Sequence, residues 1–72
     1  MPILNVEIRD NCTQEQKDTL IRQLTHETHK LFSIPLDKIV VLIKEIPSSN
    51  WGQAGVTATN PNYSTLSRRQ NL

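Results

Sequence analysis

The run Ile39-Val40-Val41-Leu42-Ile43 constrains this chain more than any other segment. A strand that alternates apolar with polar residues has one wet face, whereas an unbroken apolar run needs cover on both. The chain has 72 residues and one amphipathic helical stretch, which can cover one face. The other face calls for another subunit. Size leads to the same place: a chain near this length buries only about 60% of the surface it exposes when unfolded. Chains in that position rely on disulfides, metals or oligomerisation. The single cysteine, Cys12, excludes an intrachain disulfide, and no Cys/His cluster has zinc spacing. The expectation is one domain spanning residues 1–72 that assembles as a homo-oligomer.

Around that strand the order of elements is strand, helix, strand, then a short irregular segment. Leu4, Val6 and Ile8 share a face with Pro2, while Asn5, Glu7 and Arg9 take the other, the period of a half-buried strand. Asp10-Asn11 breaks it. Thr13-Gln-Glu-Gln16 matches a capping box with Thr13 as N-cap. Leu20, Ile21, Leu24, Leu31 and Phe32 then recur at helical spacing, an apolar stripe diluted by Thr25 and Thr28. Ser33-Ile34-Pro35 ends the helix, since the residue before proline is pushed out of helical backbone geometry. Strand-helix-strand order predicts a parallel pair with a right-handed crossover. Glycine and other turn residues predict a hairpin near Trp51 to Thr57, followed from Asn60 by a polar tail that is loose or draped over a neighbour. The fold class is α+β: a β-α-β subunit with a C-terminal hairpin.

Eight Lys and Arg against seven Asp and Glu give a formal charge of +1. That balance offers no electrostatic footprint for nucleic acid or an anionic membrane. With no signal-peptide core and no long apolar run, the chain is expected to be cytoplasmic.

Pro2 is the candidate for chemistry. Removal of Met1 would free a secondary amine whose unperturbed pKa lies near the α-amino reference of about 7.7 to 8.0. A general base works best with its pKa near the operating pH, so this amine needs little tuning. The competing reading is a proline that merely opens an edge strand, where its missing N–H does no harm.

The Pro2-Ile3 start, the stretch Gln14-Glu-Gln-Lys-Asp-Thr-Leu-Ile-Arg22, Pro35-Leu36, Glu45, and Asn50-Trp51-Gly52 followed by Gly55 together resemble the 4-oxalocrotonate tautomerase family. The resemblance covers about residues 2–56 and leaves out the tail at 60–72. It implies an amino-terminal proline that shuttles a proton between carbon and oxygen of a keto-enol pair, without metal or organic cofactor. It also implies short subunits that pair into dimers and commonly build a hexamer. On this resemblance Pro2 falls on the catalytic proline and Trp51 on an aromatic that walls the pocket. The family's two substrate arginines are replaced by Cys12 and Val40. A guanidinium grips a carboxylate bidentately, and neither a thiol nor an isopropyl group does so.

Arg9 stands where the tautomerases usually have an apolar residue, and where the related trans-3-chloroacrylic acid dehalogenase has arginine in its proline-bearing subunit. Gln53, in place of that enzyme's water-activating glutamate, argues against dehalogenation. Arg9 is therefore read either as a substrate anchor or as a solvated strand end. Lys38, with Val40's strand parity, is the second candidate cation; Lys44, at four residues along and roughly 13 Å at strand rise, is too far to substitute at Val40. Cys12 reads first as a small hydrophobe. His26 and His29 read as solvent-face residues at the favourable end of the helix dipole rather than as metal ligands. The expected function is a cofactor-independent tautomerase acting on a small enol or keto acid, with Pro2 as base and Arg9, Lys38 and Trp51 around the substrate. The alternatives are a dehalogenase-like or hydratase-like activity, or a non-catalytic oligomeric binding protein.

Overall fold

Two parallel strands and a 19-residue helix carry most of the chain in the structure, a computed structural model describing residues 1–72. Strand β1 (Ile3–Arg9) is followed by helix α1 (Gln14–Phe32), a 3-10 turn at Leu36–Lys38 and strand β2 (Val40–Ile46). A second 3-10 turn (Ser48–Asn50) leads to a small antiparallel hairpin, β3 (Gly52–Gln53) and β4 (Val56–Thr57), and then to one turn of helix, α2 (Tyr63–Leu66).

The helix begins where its side chains cap it. The Thr13 hydroxyl accepts from the Gln16 backbone N–H at 3.1 Å, and the Gln16 side-chain carbonyl accepts from the Thr13 N–H at 2.9 Å. Two backbone donors that helix geometry leaves unpaired are thereby satisfied. It ends at Ser33, in the left-handed region at φ 55°, whose N–H donates to the His29 carbonyl at 2.9 Å. Pro35 then bars continuation.

Strands β1 and β2 run parallel in the register Ile3↔Val40 to Arg9↔Ile46. Residues opposite one another share a face, so Leu4, Val6, Ile8, Val41 and Ile43 turn towards α1. Glu45, on that same face, pairs with Lys17 of the helix. The buried side of α1 differs from the expected stripe. Leu20 and Leu24 are half-buried as expected, and so are Thr25 and Thr28, while Leu31 and Phe32 are exposed. The Thr28 hydroxyl donates to the Leu24 carbonyl at 2.7 Å, so its polar group is satisfied within the helix and its methyl can face the sheet.

The opposite sheet face holds Ile3, Val40 and Leu42 and has no helix over it. Ile3 is 57% exposed and Leu42 50%. Only Ile39 and Val56 are buried, and the radius of gyration is 16.2 Å against about 11 Å for a compact domain of this length. No helix is long and apolar enough to cross a membrane.

The hairpin turn passes through Ala54 (φ 53°) and Gly55 (φ 76°), both left-handed, as a two-residue hairpin connection requires. The tail folds back on its own hairpin. Arg69 Nε donates to the Ala54 carbonyl at 2.9 Å, and a Cβ at Gly55 would lie 2.5 Å from Leu72 Cδ2. The positive φ favours glycine at position 55, and the exposed Leu72 side chain lies in the space a side chain there would take.

Loss of the Thr13 cap by Thr13→Ala should destabilise the fold by about 1 kcal/mol. For a domain this small, that lowers Tm by roughly 4–8 °C, read by circular dichroism at fixed protein concentration. An unchanged Tm would mean that water replaces the hydroxyl fully.

Candidate active site

The parallel ladder has two ends, and the candidate residues divide between them. At one end the Val40 N–H donates to the Pro2 carbonyl at 3.1 Å, extending the β1/β2 ladder to the proline. Pro2 borders an open, mainly apolar groove of about 380 Å³ with Ile3, Leu4, Thr28, Phe32 and Ile34. The chain after α1 is held beside this groove by His29, whose Nδ1 donates to the Ile34 carbonyl at 2.6 Å. His29 is therefore a half-buried structural donor rather than a solvent-face residue, whereas His26 is exposed. No group of three His, Cys, Asp or Glu side chains converges as a metal site would require.

Lys38 lies at this same end but closes the 3-10 turn, and its side chain is exposed. The assumption that it shares the strand parity of Val40 fails, because β2 begins only at Val40. Lys44 does lie in β2, opposite Glu7 on the open face.

The other end of the ladder, closed by the Asp10 N–H donating to the Ile46 carbonyl at 3.1 Å, holds Arg9 and Trp51. The Ser48 hydroxyl donates to Asp10 Oδ1 at 3.1 Å and ties the second 3-10 turn to this end. Arg9 is not a solvated strand end. It is half-buried, its Nε is shut off from solvent without a hydrogen-bond partner, and its guanidinium carbon lies 5.2 Å from the centroid of the Tyr63 ring. That separation is within cation–π range. Trp51 Nε1 donates to the Tyr63 hydroxyl at 3.0 Å, and that hydroxyl donates to Gln53 Oε1 at 3.0 Å.

Tyr63 is the residue that sequence reasoning missed. It is the only tyrosine and sits in a segment read as tail. The available signal was Asn60-Pro61-Asn62, a turn that returns the chain to the hairpin. There the Asn62 N–H donates to Asn60 Oδ1 at 2.8 Å.

A single chain does not bring these candidates together. Pro2 and Arg9 are seven residues apart along an extended strand, about 23 Å at strand rise. The two positions that replace arginines are also separated. Val40 is at the Pro2 end; half-buried Cys12 borders a groove with Ile8, Gln16, Lys17 and Leu20 on the helix side.

The sequence profile described as "Tautomerase enzyme" matches residues 2–60. A 2-hydroxymuconate tautomerase of Pseudomonas sp. (strain CF600) is 39% identical over 59 residues, covering 82% of this chain and 94% of that protein. Among solved structures, an apo 4-oxalocrotonate tautomerase described as unfused superposes with a TM-score of 0.76 at 34% identity, covering 82% of this chain and 97% of its own. A heterohexameric 4-oxalocrotonate tautomerase of Chloroflexus aurantiacus J-10-fl gives a TM-score of 0.78 at 26% identity, with coverage of 85% and 98%. A family profile spanning Pro2 through the hairpin, relatives aligned over nearly their whole length, and a shared β-α-β fold leave one assignment: the chain belongs to the 4-oxalocrotonate tautomerase family and is a tautomerase, an isomerase.

Proposed function

We propose that the Pro2 amine, freed by removal of Met1, is the general base of a cofactor-independent keto-enol tautomerase whose substrate is a small carboxylated enol or keto acid. The observation that carries this reading is the position of Pro2, held by the ladder at the mouth of an open apolar groove. Met1 is 80% exposed, so its loss would leave the fold undisturbed. While Met1 remains, the proline nitrogen is an amide and cannot take a proton. Once freed, the amine accepts the hydroxyl proton of the enol and delivers a proton to the carbon at the far end of the conjugated system, so that a carbonyl forms and one double bond is lost or moved. A substrate carboxylate is supported by the relatives named for 2-hydroxymuconate.

The site in this reading is composite. Strands β1 and β2 form a two-stranded sheet with both outer edges unpaired and one face open, on which Ile3 and Leu42 are exposed. Such edges and faces are natural places for another copy of the chain. A two-fold axis across the strands reverses their direction and sets the Pro2 end of one copy beside the Arg9 and Trp51 end of the other. Pro2 then supplies the base, Trp51 a wall that lowers the dielectric, and Arg9 the charge that anchors the carboxylate. Lys38, at the Pro2 end, is the second cation. The assembly is a homo-oligomer, a dimer or a hexamer built from dimers.

Intact mass should show a mature chain beginning at Pro2. Pro2→Ala, which keeps a primary amine, should slow ketonisation of an aryl-pyruvate enol while the circular dichroism spectrum stays unchanged; equal initial rates would exclude the proline as base.

Leu42→Asp should break the assembly, because it would bury an unpaired carboxylate in the covered face. Light scattering of the parent showing a stable folded monomer at micromolar concentration would refute the composite site.

Arg9→Ala should lower kcat/KM on a carboxylated enol about ten- to hundredfold, the equivalent of losing a charge-assisted contact worth about 1.5–3 kcal/mol. The loss on an uncharged enol should be smaller. If Arg9→Ala is silent on every enol tested, Arg9 is no anchor and the non-catalytic binding reading takes precedence.

A further inference from the structure

We propose that Tyr63, outside the segment matched by the family profile, is a positioning residue that fixes the carboxylate anchor of the active site. The inference rests on the reading of Arg9 as that anchor.

An arginine side chain at a strand end has several rotatable bonds and gains little as an anchor unless something restricts them. Arg9 is restricted from one side only. The Tyr63 ring lies 5.2 Å from its guanidinium carbon, and Arg9 forms no salt bridge. Its Nε is sealed from solvent yet bonds to nothing, so the chain has desolvated a donor without supplying an acceptor. A buried unpaired donor is costly, so a contact that holds the side chain in this place has to offset that cost.

Tyr63 is itself held at two points. Its hydroxyl accepts from Trp51 Nε1 and donates to Gln53 Oε1, each at 3.0 Å. Both partners belong to the hairpin segment, so the ring cannot turn away from Arg9 without breaking these bonds. One side chain of the tail thus links the wall residue to the anchor residue. The ring restrains the cation, while the hydroxyl restrains the indole. Loss of the whole side chain should therefore differ from loss of the hydroxyl alone.

The test compares Tyr63→Leu, Tyr63→Phe and Arg9→Ala in the assembled protein, with an unreactive dicarboxylate, fumarate, as the binding probe. Fumarate should bind Tyr63→Leu roughly fivefold more weakly than the parent, the scale of one cation–π contact. KM for a carboxylated enol should rise by a similar factor with kcat largely retained, and KM for an uncharged enol should rise less. Tyr63→Phe, which keeps the ring, should recover most of the fumarate affinity. It should still shift the indole N–H resonance of Trp51, a single NMR signal because the chain has one tryptophan. The inference is overturned if fumarate binds Tyr63→Leu as tightly as the parent, if the charged and uncharged enols lose equally, or if Tyr63→Phe is as defective as Tyr63→Leu. Should Tyr63→Leu fail to fold, the Arg9 Nε–H signal decides: an identical position in the parent and Tyr63→Phe supports the ring as the restraint, and a move to the free-arginine position in Tyr63→Phe refutes it. Arg9→Ala separates the two readings. If it binds fumarate like the parent, the anchor assignment fails; if it binds weakly while Tyr63→Leu does not, only the role of Tyr63 fails.

Discussion

The parallel ladder between β1 and β2 is the interaction on which the rest of the molecule depends. Its first added rung fastens the Pro2 carbonyl to Val40, and its last fastens Asp10 to Ile46, so both ends of β1 are set by one register. A slip of one residue would turn every side chain to the opposite face. Leu4, Val6 and Ile8 would leave the helix, and Arg9 would leave Tyr63. The candidate residues at either end therefore inherit their geometry from a backbone hydrogen-bond pattern that involves none of their side chains.

The ladder also explains why so little of the chain is buried. A two-stranded sheet with one helix has enough apolar surface for two layers and enough structure to cover only one. Ile3, Val40 and Leu42 are left on the open face, with Leu31 and Phe32 exposed on the helix. Instead of closing on itself, the chain is elongated, at 47 × 25 × 15 Å. The tail adds cover against the hairpin, where Val56 is one of the two buried residues, and against Arg9 through Tyr63.

What was legible in the sequence was what local chemistry decides. The capping box at Thr13, the stop before Pro35, the parallel pairing and the hairpin within 51–57 each follow from short patterns with their own physical cause. Less legible was whatever depends on how elements meet. Thr25 and Thr28 take the half-buried positions that residue type alone gave to Leu31 and Phe32. Lys38 loses its strand parity because a 3-10 turn intervenes before β2. His29 bonds to the chain just past the helix, and Arg9 is drawn from solvent by a tyrosine more than fifty residues away in sequence. No spacing rule links Arg9 with Tyr63, because their contact exists only after the hairpin and tail have folded. The family resemblance pointed to Pro2 and Trp51 as candidates, but it could say nothing of Tyr63, which lies past the matched segment.

The enclosure of α1 between the two paired strands has a consequence in time. Every rung of the ladder joins two strands separated by the whole helix, so none can form until that segment has been shortened. Loop closure is a smaller entropic loss once the intervening chain is helical, and α1 has a local nucleus in its own capping box. Helix formation within about a microsecond should thus precede a slower search for the parallel register. During that interval the apolar strand lies unpaired. Folding of this small enzyme is then a contest between closure onto β1 and capture of β2 by another nascent chain, decided by how quickly the helix draws the strands together.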